Sequence, residues 1–329
     1  MKILRKIKHA MKWLLWFPGQ TLLCVVPNRF LPYKLASFLG KIYCYFSKRK
    51  VAVVRDELAR SAGTSERAPK DLDAIIERSM RLDAVDQLEM LNYPRFGNSP
   101  KGKALALKTI PAVKGLEHLD NALTKSGVIL AHLHFGPMQM ALPGLAHRGY
   151  PVAQIGNSRL SVLEDPSQGR SFFLKMVLAK QQRFEERLPV PFFYTGEDTR
   201  AIVKWLKDGN VLDLAMDGRT GSKWIETAFL GRRARFVADP FHLARLTRAS
   251  ILPAFILRDP DTLRLRIHIE PPVLQNPDTP GNSNEKMLNT FLALAEQYFK
   301  AYPCHYCRRL WVMNRQKPFL ANPLFPDGS

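Results

Sequence analysis

The sequence predicts an α/β fold, a mixed sheet flanked by helices and preceded by a hydrophobic membrane-anchor segment. Three observations predict it. Short apolar runs at 128–131, 152–155, 211–215 and 251–257 are separated by stretches with helical spacing, which is βαβ organisation. A further run, Leu263-Arg264-Leu265-Arg266-Ile267-His268-Ile269, alternates as an antiparallel strand with one wet face does. The first fifty positions set Lys and Arg around an apolar stretch rich in Trp and Phe.

In chain order, positions 11–39 run apolar, but Pro18-Gly19-Gln20 and Pro27-Asn28-Arg29 interrupt them before the roughly 20 residues of a straight spanning helix. No small-x-small cleavage site follows. Positions 1–50 therefore read as an uncleaved anchor that dips into or crosses the bilayer, with Trp13, Trp16, Tyr33, Tyr43 and Tyr45 at the interface. The alternative is an amphipathic helical hairpin packed on the domain. Positions 51–329 form the α/β domain. Turn formers across 60–70 mark a connection. Leu72, Ile75, Ile76, Met80, Leu82, Val85, Leu88 and Leu91 then recur at helical spacing with one face to bury. From Gly127 onward the strands alternate with helices expected at 136–146, 167–186, 197–208, 238–248 and 285–302.

At 329 residues, 46% apolar, the chain has enough material for a large core. Its formal charge of +20, from 49 Lys and Arg against 29 Asp and Glu, calls for a polyanionic partner. The basic residues flank Trp and Phe clusters and line no recognition element, so an anionic membrane is expected and nucleic acid is not. Four cysteines, Cys24, Cys44, Cys304 and Cys307, make no disulfide framework. The single Cys-x-x-Cys has only His305 nearby and lacks the second ligand pair of a zinc site, so no metal is expected. No glycine-rich phosphate loop or dinucleotide fingerprint appears, and no bound cofactor is expected either.

His134 falls between the strand at 128–131 and the helix after Gly136-Pro137, at the strand end where α/β folds gather their active sites. Its ordinary pKa lies close to working pH, so it suits proton transfer. Backbone amides at the start of the next helix are expected to meet developing negative charge. His132 shares its face by strand alternation and is a spare base or a pocket residue. Arg159, after the next strand, reads equally as a phosphate contact or an exposed loop arginine. Arg219, Arg232, Arg233 and Arg235 form a basic cluster near Asp217, suited to anionic groups or to solvent.

The segments His134-Phe135-Gly136-Pro137-Met138-Gln139, Asp217, Phe229-Leu230-Gly231-Arg232 and Ile251-Leu252-Pro253 occur in an order that resembles the lipid A lauroyl/myristoyl acyltransferases, within the lysophospholipid acyltransferase superfamily. The resemblance covers about positions 80–315 and implies an acyltransferase-type mixed sheet. The family's hallmark is a His and, after four intervening residues, an Asp or Glu; here Gln139 stands in the acid's place. Three explanations compete: Gln139 orients His134, another acid such as Asp217 supplies the charge, or the chain binds lipid without catalysis. If the site simply lacks its acid, Gln139→Glu should speed it up.

The resemblance implies acyl transfer from acyl carrier protein or acyl-CoA to a hydroxyl or amine of a lipid or lipid-linked acceptor, on the cytoplasmic side of a bacterial inner membrane. His134 would be the general base, Gln139 its positioning partner and Asp217 a supporting acid, with Arg159 and Arg232 as substrate contacts. The alternative is a non-catalytic lipid-binding or scaffold protein on the same fold.

Overall fold

The computed structural model describes residues 30–64, 66, 68–156, 172–194, 199–273 and 283–326, together with 10, 13, 14 and 17. Among the described residues, a seven-stranded sheet has the order β1-β9-β8-β2-β5-β3-β4, from Ala112–Lys114, Leu265–Ile269, Ser250–Arg258, Val128–His132, Val211–Ala215, Val152–Gly156 and Phe192–Tyr194. All neighbours pair parallel except β8 and β9, so β9 and β1 run against the other five. The sheet is mixed as expected. The antiparallel reading of 263–269 holds because its alternation leaves Arg266 and His268 half-buried while Leu265, Ile267 and Ile269 are buried.

The central strands are buried on both faces, which is why β2 and β8 read as continuous apolar runs. Side chains still alternate between two cores: Val128 and Leu130 point to one, Ile129 and Ala131 to the other. Two elements of the sheet were not expected. Strands β1 and β4 are three residues long and only partly covered, too short to show a periodicity. A two-stranded antiparallel hairpin, β6 Trp224–Phe229 and β7 Arg232–Val237, turns through Leu230 and Gly231, both at positive φ.

Of the helices, the expected one over 72–91 is Pro69–Asn92, and those expected near 197–208, 238–248 and 285–302 are Thr199–Lys207, Asp239–Thr247 and Asn284–Ala301. Where one helix was expected over 136–146, a 3₁₀ turn at Met138–Met140 precedes a short helix, Ala141–Ala146. The described part of the helix expected over 167–186 is Phe172–Glu185. Pro100–Thr109, Leu116–Leu123 and the C-terminal helix Cys307–Gln316 were not foreseen. Numbered with Phe30–Phe46 as α1 and Lys48–Ala59 as α2, Pro69–Asn92 is α3, Pro100–Thr109 α4, Leu116–Leu123 α5, Ala141–Ala146 α6, Phe172–Glu185 α7, Thr199–Lys207 α8, Asp239–Thr247 α9, Asn284–Ala301 α10 and Cys307–Gln316 α11.

Position 50, expected to end the anchor, lies inside α2. Among the described residues no helix is long and apolar enough to cross a membrane. Helix α1 lies along α3. Its buried residues Ser37 and Gly40 face α3, and a Cβ on Gly40 would come within 2.6 Å of the Met80 carbonyl oxygen. The opposite face leaves Leu31, Leu35, Phe38, Leu39 and Ile42 exposed.

That close approach gives a test of the packing. Gly40→Val should push α1 off α3, destabilising the fold by about 1–3 kcal/mol, the usual cost of overpacking, and speeding limited proteolysis around Ser47. Unchanged denaturant midpoint and cleavage rate would refute the arrangement.

Candidate active site

Strand β2 ends at His132, and the chain then turns sharply through Phe135 and Gly136. Phe135 is buried, stacked on His305 with ring centroids 5.5 Å apart and set edge-on to Phe255. Gly136 has φ +63°, and a Cβ there would sit 2.2 Å from the Ile256 carbonyl oxygen, so only glycine fits. Its N–H donates to the His305 carbonyl at 3.0 Å, pinning the turn to the C-terminal segment. His134 is thereby held beyond the carboxyl end of the central strand β2 with a third of its side chain exposed.

The adjoining strand brings the acid. The Met216 N–H donates to the His132 carbonyl at 2.7 Å, which extends the pairing of β2 with β5 and carries Asp217 to the imidazole. Asp217 Oδ1 accepts from His134 Nδ1 at 2.7 Å and from the His134 backbone N–H at 3.1 Å. Its Oδ2 accepts from the Tyr306 hydroxyl at 3.0 Å and lies 2.9 Å from Arg309 Nε as an ion pair. Arg309 Nη2 also donates to the Asp217 backbone carbonyl. Asp217 is fully buried.

Burial alone would raise the Asp217 carboxyl, but Arg309 and His134 hold it well below the usual carboxylate range. Burial, and then the charge of Arg309, pull His134 below its ordinary value against the opposing effect of Asp217. Tyr306 is pushed far up by burial and by Asp217, so it stays a donor. With an ionised carboxylate on Nδ1, the neutral imidazole carries its proton there and leaves the Nε2 lone pair free.

Of the sequence-expected site residues, the fold brings His134, Asp217 and Gln139 to one place, in unequal ways. Gln139 lines the same cleft as His134, and its backbone carbonyl accepts from the Tyr93 hydroxyl, but among the described residues its side chain makes no hydrogen bond to the imidazole. The carboxylate on Nδ1 comes from the end of β5, so Gln139→Glu would not repair a missing acid. The expected anion-binding amides are largely committed: those of Phe135, Gly136, Met138 and Met140 already donate to backbone carbonyls. His132 is buried and pairs with Asp213 at 3.2 Å, away from the cleft.

Arg232 lies elsewhere. Its side chain is 8% exposed, pairs with Glu57 at 2.7 Å and stacks over Phe325 beside a different cavity. Arg233 and Arg235 are spent on Glu226 across the β6–β7 hairpin. Arg159 lies outside the described residues. Burial pushes the Cys304 thiol up to about 11 and raises Cys307 further.

The cleft is small, with a cavity volume of about 40 Å³, and partly open to solvent between the β2 turn, α3 and the segment around His305. Two groups beside it went unread in the sequence. Arg258, at the end of β8, is 1% exposed and bonded to Asp86 and Glu89 of α3. Tyr306 and Arg309, which brace Asp217, sit in a segment that carries no local signal of such a role.

Asp217 has a depressed pKa, so its stabilising effect is complete above the unfolded carboxylate value of about 4 and is lost as pH falls through its lower folded value. Asp217→Asn leaves Arg309 buried without a counter-charge and should cost about 3–5 kcal/mol at neutral pH. Chemical denaturation showing no loss would remove Asp217 from this role.

A family model described as "Bacterial lipid A biosynthesis acyltransferase" matches residues 1–317. No curated protein matches the chain.

Proposed function

The chain belongs to the bacterial lipid A biosynthesis acyltransferase family, and from that premise we propose that it moves a fatty acyl group from an acyl carrier protein or acyl-CoA thioester to a hydroxyl or amine, with His134 as general base. Membership makes it an acyltransferase with a lipid acceptor. The observation that carries the mechanism is the 2.7 Å contact between His134 Nδ1 and the buried Asp217 carboxylate.

In this reading the acceptor hydroxyl gives its proton to His134 Nε2 as its oxygen attacks the thioester carbonyl carbon. The tetrahedral intermediate then expels the thiol, which takes the proton back from the imidazolium as the C–S bond breaks. Asp217 fixes the productive tautomer and stabilises the transient imidazolium, while Tyr306 and Arg309 hold Asp217 in place. Gln139 shapes the cleft wall and brings no charge. Arg159 would be a contact to the acyl donor.

His134→Ala and Asp217→Asn should each lower kcat by about three to four orders of magnitude. Gln139→Glu should stay within about fivefold of the parent, the scale of a partly exposed charge pair. Because the base must be neutral and its pKa is depressed, kcat/KM should rise with pH and level off below the ordinary histidine value of about 6.5. A thioester-consumption assay in which His134→Ala reacts at the parent rate ends the proposal.

We place the protein on the cytoplasmic face of the inner membrane, held in part by α1. Leu31, Leu35, Phe38, Leu39 and Ile42, with Tyr45 and Phe46, expose one apolar stripe, and the exposed Lys48 and Arg49 follow it. A helix of 17 residues with this pattern suits lying in the interface beside anionic headgroups. Leu35→Ser with Phe38→Ser should weaken partition into anionic vesicles at least about tenfold, since each buried side chain contributes about 1.5–3 kcal/mol. Unaltered co-sedimentation would rule out this face.

A further inference from the structure

The cleft of His134 contains a second carboxylate that the transfer reaction as proposed leaves idle. Asp86 stands in the middle of α3 with its side chain 16% exposed, on the cleft wall. Its Oδ1 accepts from Arg258 Nε at 2.8 Å; its Oδ2 has no hydrogen-bond partner among the described residues and is not sealed from solvent.

The charges around it explain why this oxygen is left over. On α3, Asp83 is satisfied by Arg308 at 2.8 Å and by Lys50 of α2 at 3.6 Å. One turn beyond Asp86, Glu89 is 1% exposed and is held by Arg258 and by the Tyr33 hydroxyl at 2.7 Å. From β8, Arg258 is thus shared between two carboxylates, and its Nη1 is spent on the Leu263 carbonyl. From the C-terminal segment, His305 Nε2 accepts the Arg258 backbone N–H at 2.9 Å and is pulled down to about 4 by burial, so it brings no charge. From the β2 turn, His134 is committed to Asp217. One guanidinium faces two carboxylates, and Asp86 is the one that opens on the cleft.

We propose that Asp86 grips the acyl acceptor, accepting a hydrogen bond from a second donor group, a hydroxyl, amide N–H or ammonium, that sits beside the group being acylated. The inference rests on the acyl-transfer reading of this cleft and adds a substrate class to it: acceptors with two adjacent donors are preferred over those with one. A hydrogen bond to a carboxylate is about twice as strong as a neutral one, which corresponds to roughly tenfold or more in selectivity. Burial, only partly offset by Arg258, pushes the Asp86 carboxyl up to about 7, so the grip is pH-dependent near neutrality.

The test compares binding of a monoacylglycerol, with two adjacent hydroxyls, and a chain-matched primary alcohol, with one, to the full chain in phosphatidylcholine nanodiscs. The parent protein should favour the monoacylglycerol by about tenfold or more. Asp86→Asn keeps the shape and an acceptor for Arg258, and should bring the preference to within about twofold while leaving affinity for the alcohol unchanged. Full preference in a folded Asp86→Asn protein overturns the inference. Should that variant fail to fold, the parent decides: its preference should fall as pH drops through about 7, where the carboxyl takes up a proton, and a flat ratio overturns the inference equally. His134, held below its ordinary value, titrates further down. Binding is read without turnover, so the two readings fail separately. A protein that shows the Asp86-dependent preference and transfers no acyl group sinks the acyl-transfer reading alone; one that transfers without it sinks the Asp86 grip alone.

Discussion

A fully buried carboxylate is stable as an ion only where cations and donors surround it, and Asp217 organises the molecule around that requirement. Its four contacts come from two separate parts of the chain: the turn after β2, and the C-terminal segment that supplies Tyr306 just before α11 and Arg309 within it. Each element is placed for another reason as well. The β2 turn is pinned by Gly136 to the His305 carbonyl, and α11 buries Leu310 and Met313 in the core. The ion pair is therefore the point at which sheet, turn and C-terminus agree in register, and losing the charge would leave Arg309 stranded in the interior.

Two arginine-centred networks flank the cleft, and their charge balance differs. At Asp217 a single carboxylate meets Arg309 and His134, with Arg219 donating to its backbone carbonyl, so the acid is locked in its ionised form. At Arg258 one guanidinium meets Asp86 and Glu89, so the pair of acids is undercompensated and the more exposed one keeps an affinity for protons. The first arrangement suits a permanent partner that never exchanges its proton. The second suits a group that meets a changing ligand. Two aspartates thus take different chemical characters from the charges and donors around them.

Much of this was legible in the sequence, for identifiable reasons. Strands β2 and β8 announce themselves because burial on both faces demands apolar runs. His134 announces itself by its place after β2. Strands β1 and β4 are too short to carry a pattern. Arg232 was drawn toward Asp217 by proximity in sequence, yet the hairpin of β6 and β7 turns it to Glu57 of α2. The braces on Asp217 lie some ninety residues away, and no local spacing encodes a contact made by the docking of a terminal helix.

The substitution at 139 follows from the same geometry. A carboxylate at Nδ1 of a histidine base is a demand on space, not on a particular place in the chain. In a His-x-x-x-x-acid motif the turn itself supplies the acid. Here the turn is followed by a 3₁₀ segment in which the Gln139 backbone carbonyl is tied to Tyr93, while the strand next door delivers Asp217 to the same nitrogen. A carboxylate at 139 would share the cleft with Asp86 and Asp83, and like charges in such a space raise one another's pKa. An uncharged residue avoids that repulsion. Gln139 thus shares the cleft with His134, while the carboxylate on His134 Nδ1 is that of Asp217, just past the end of β5.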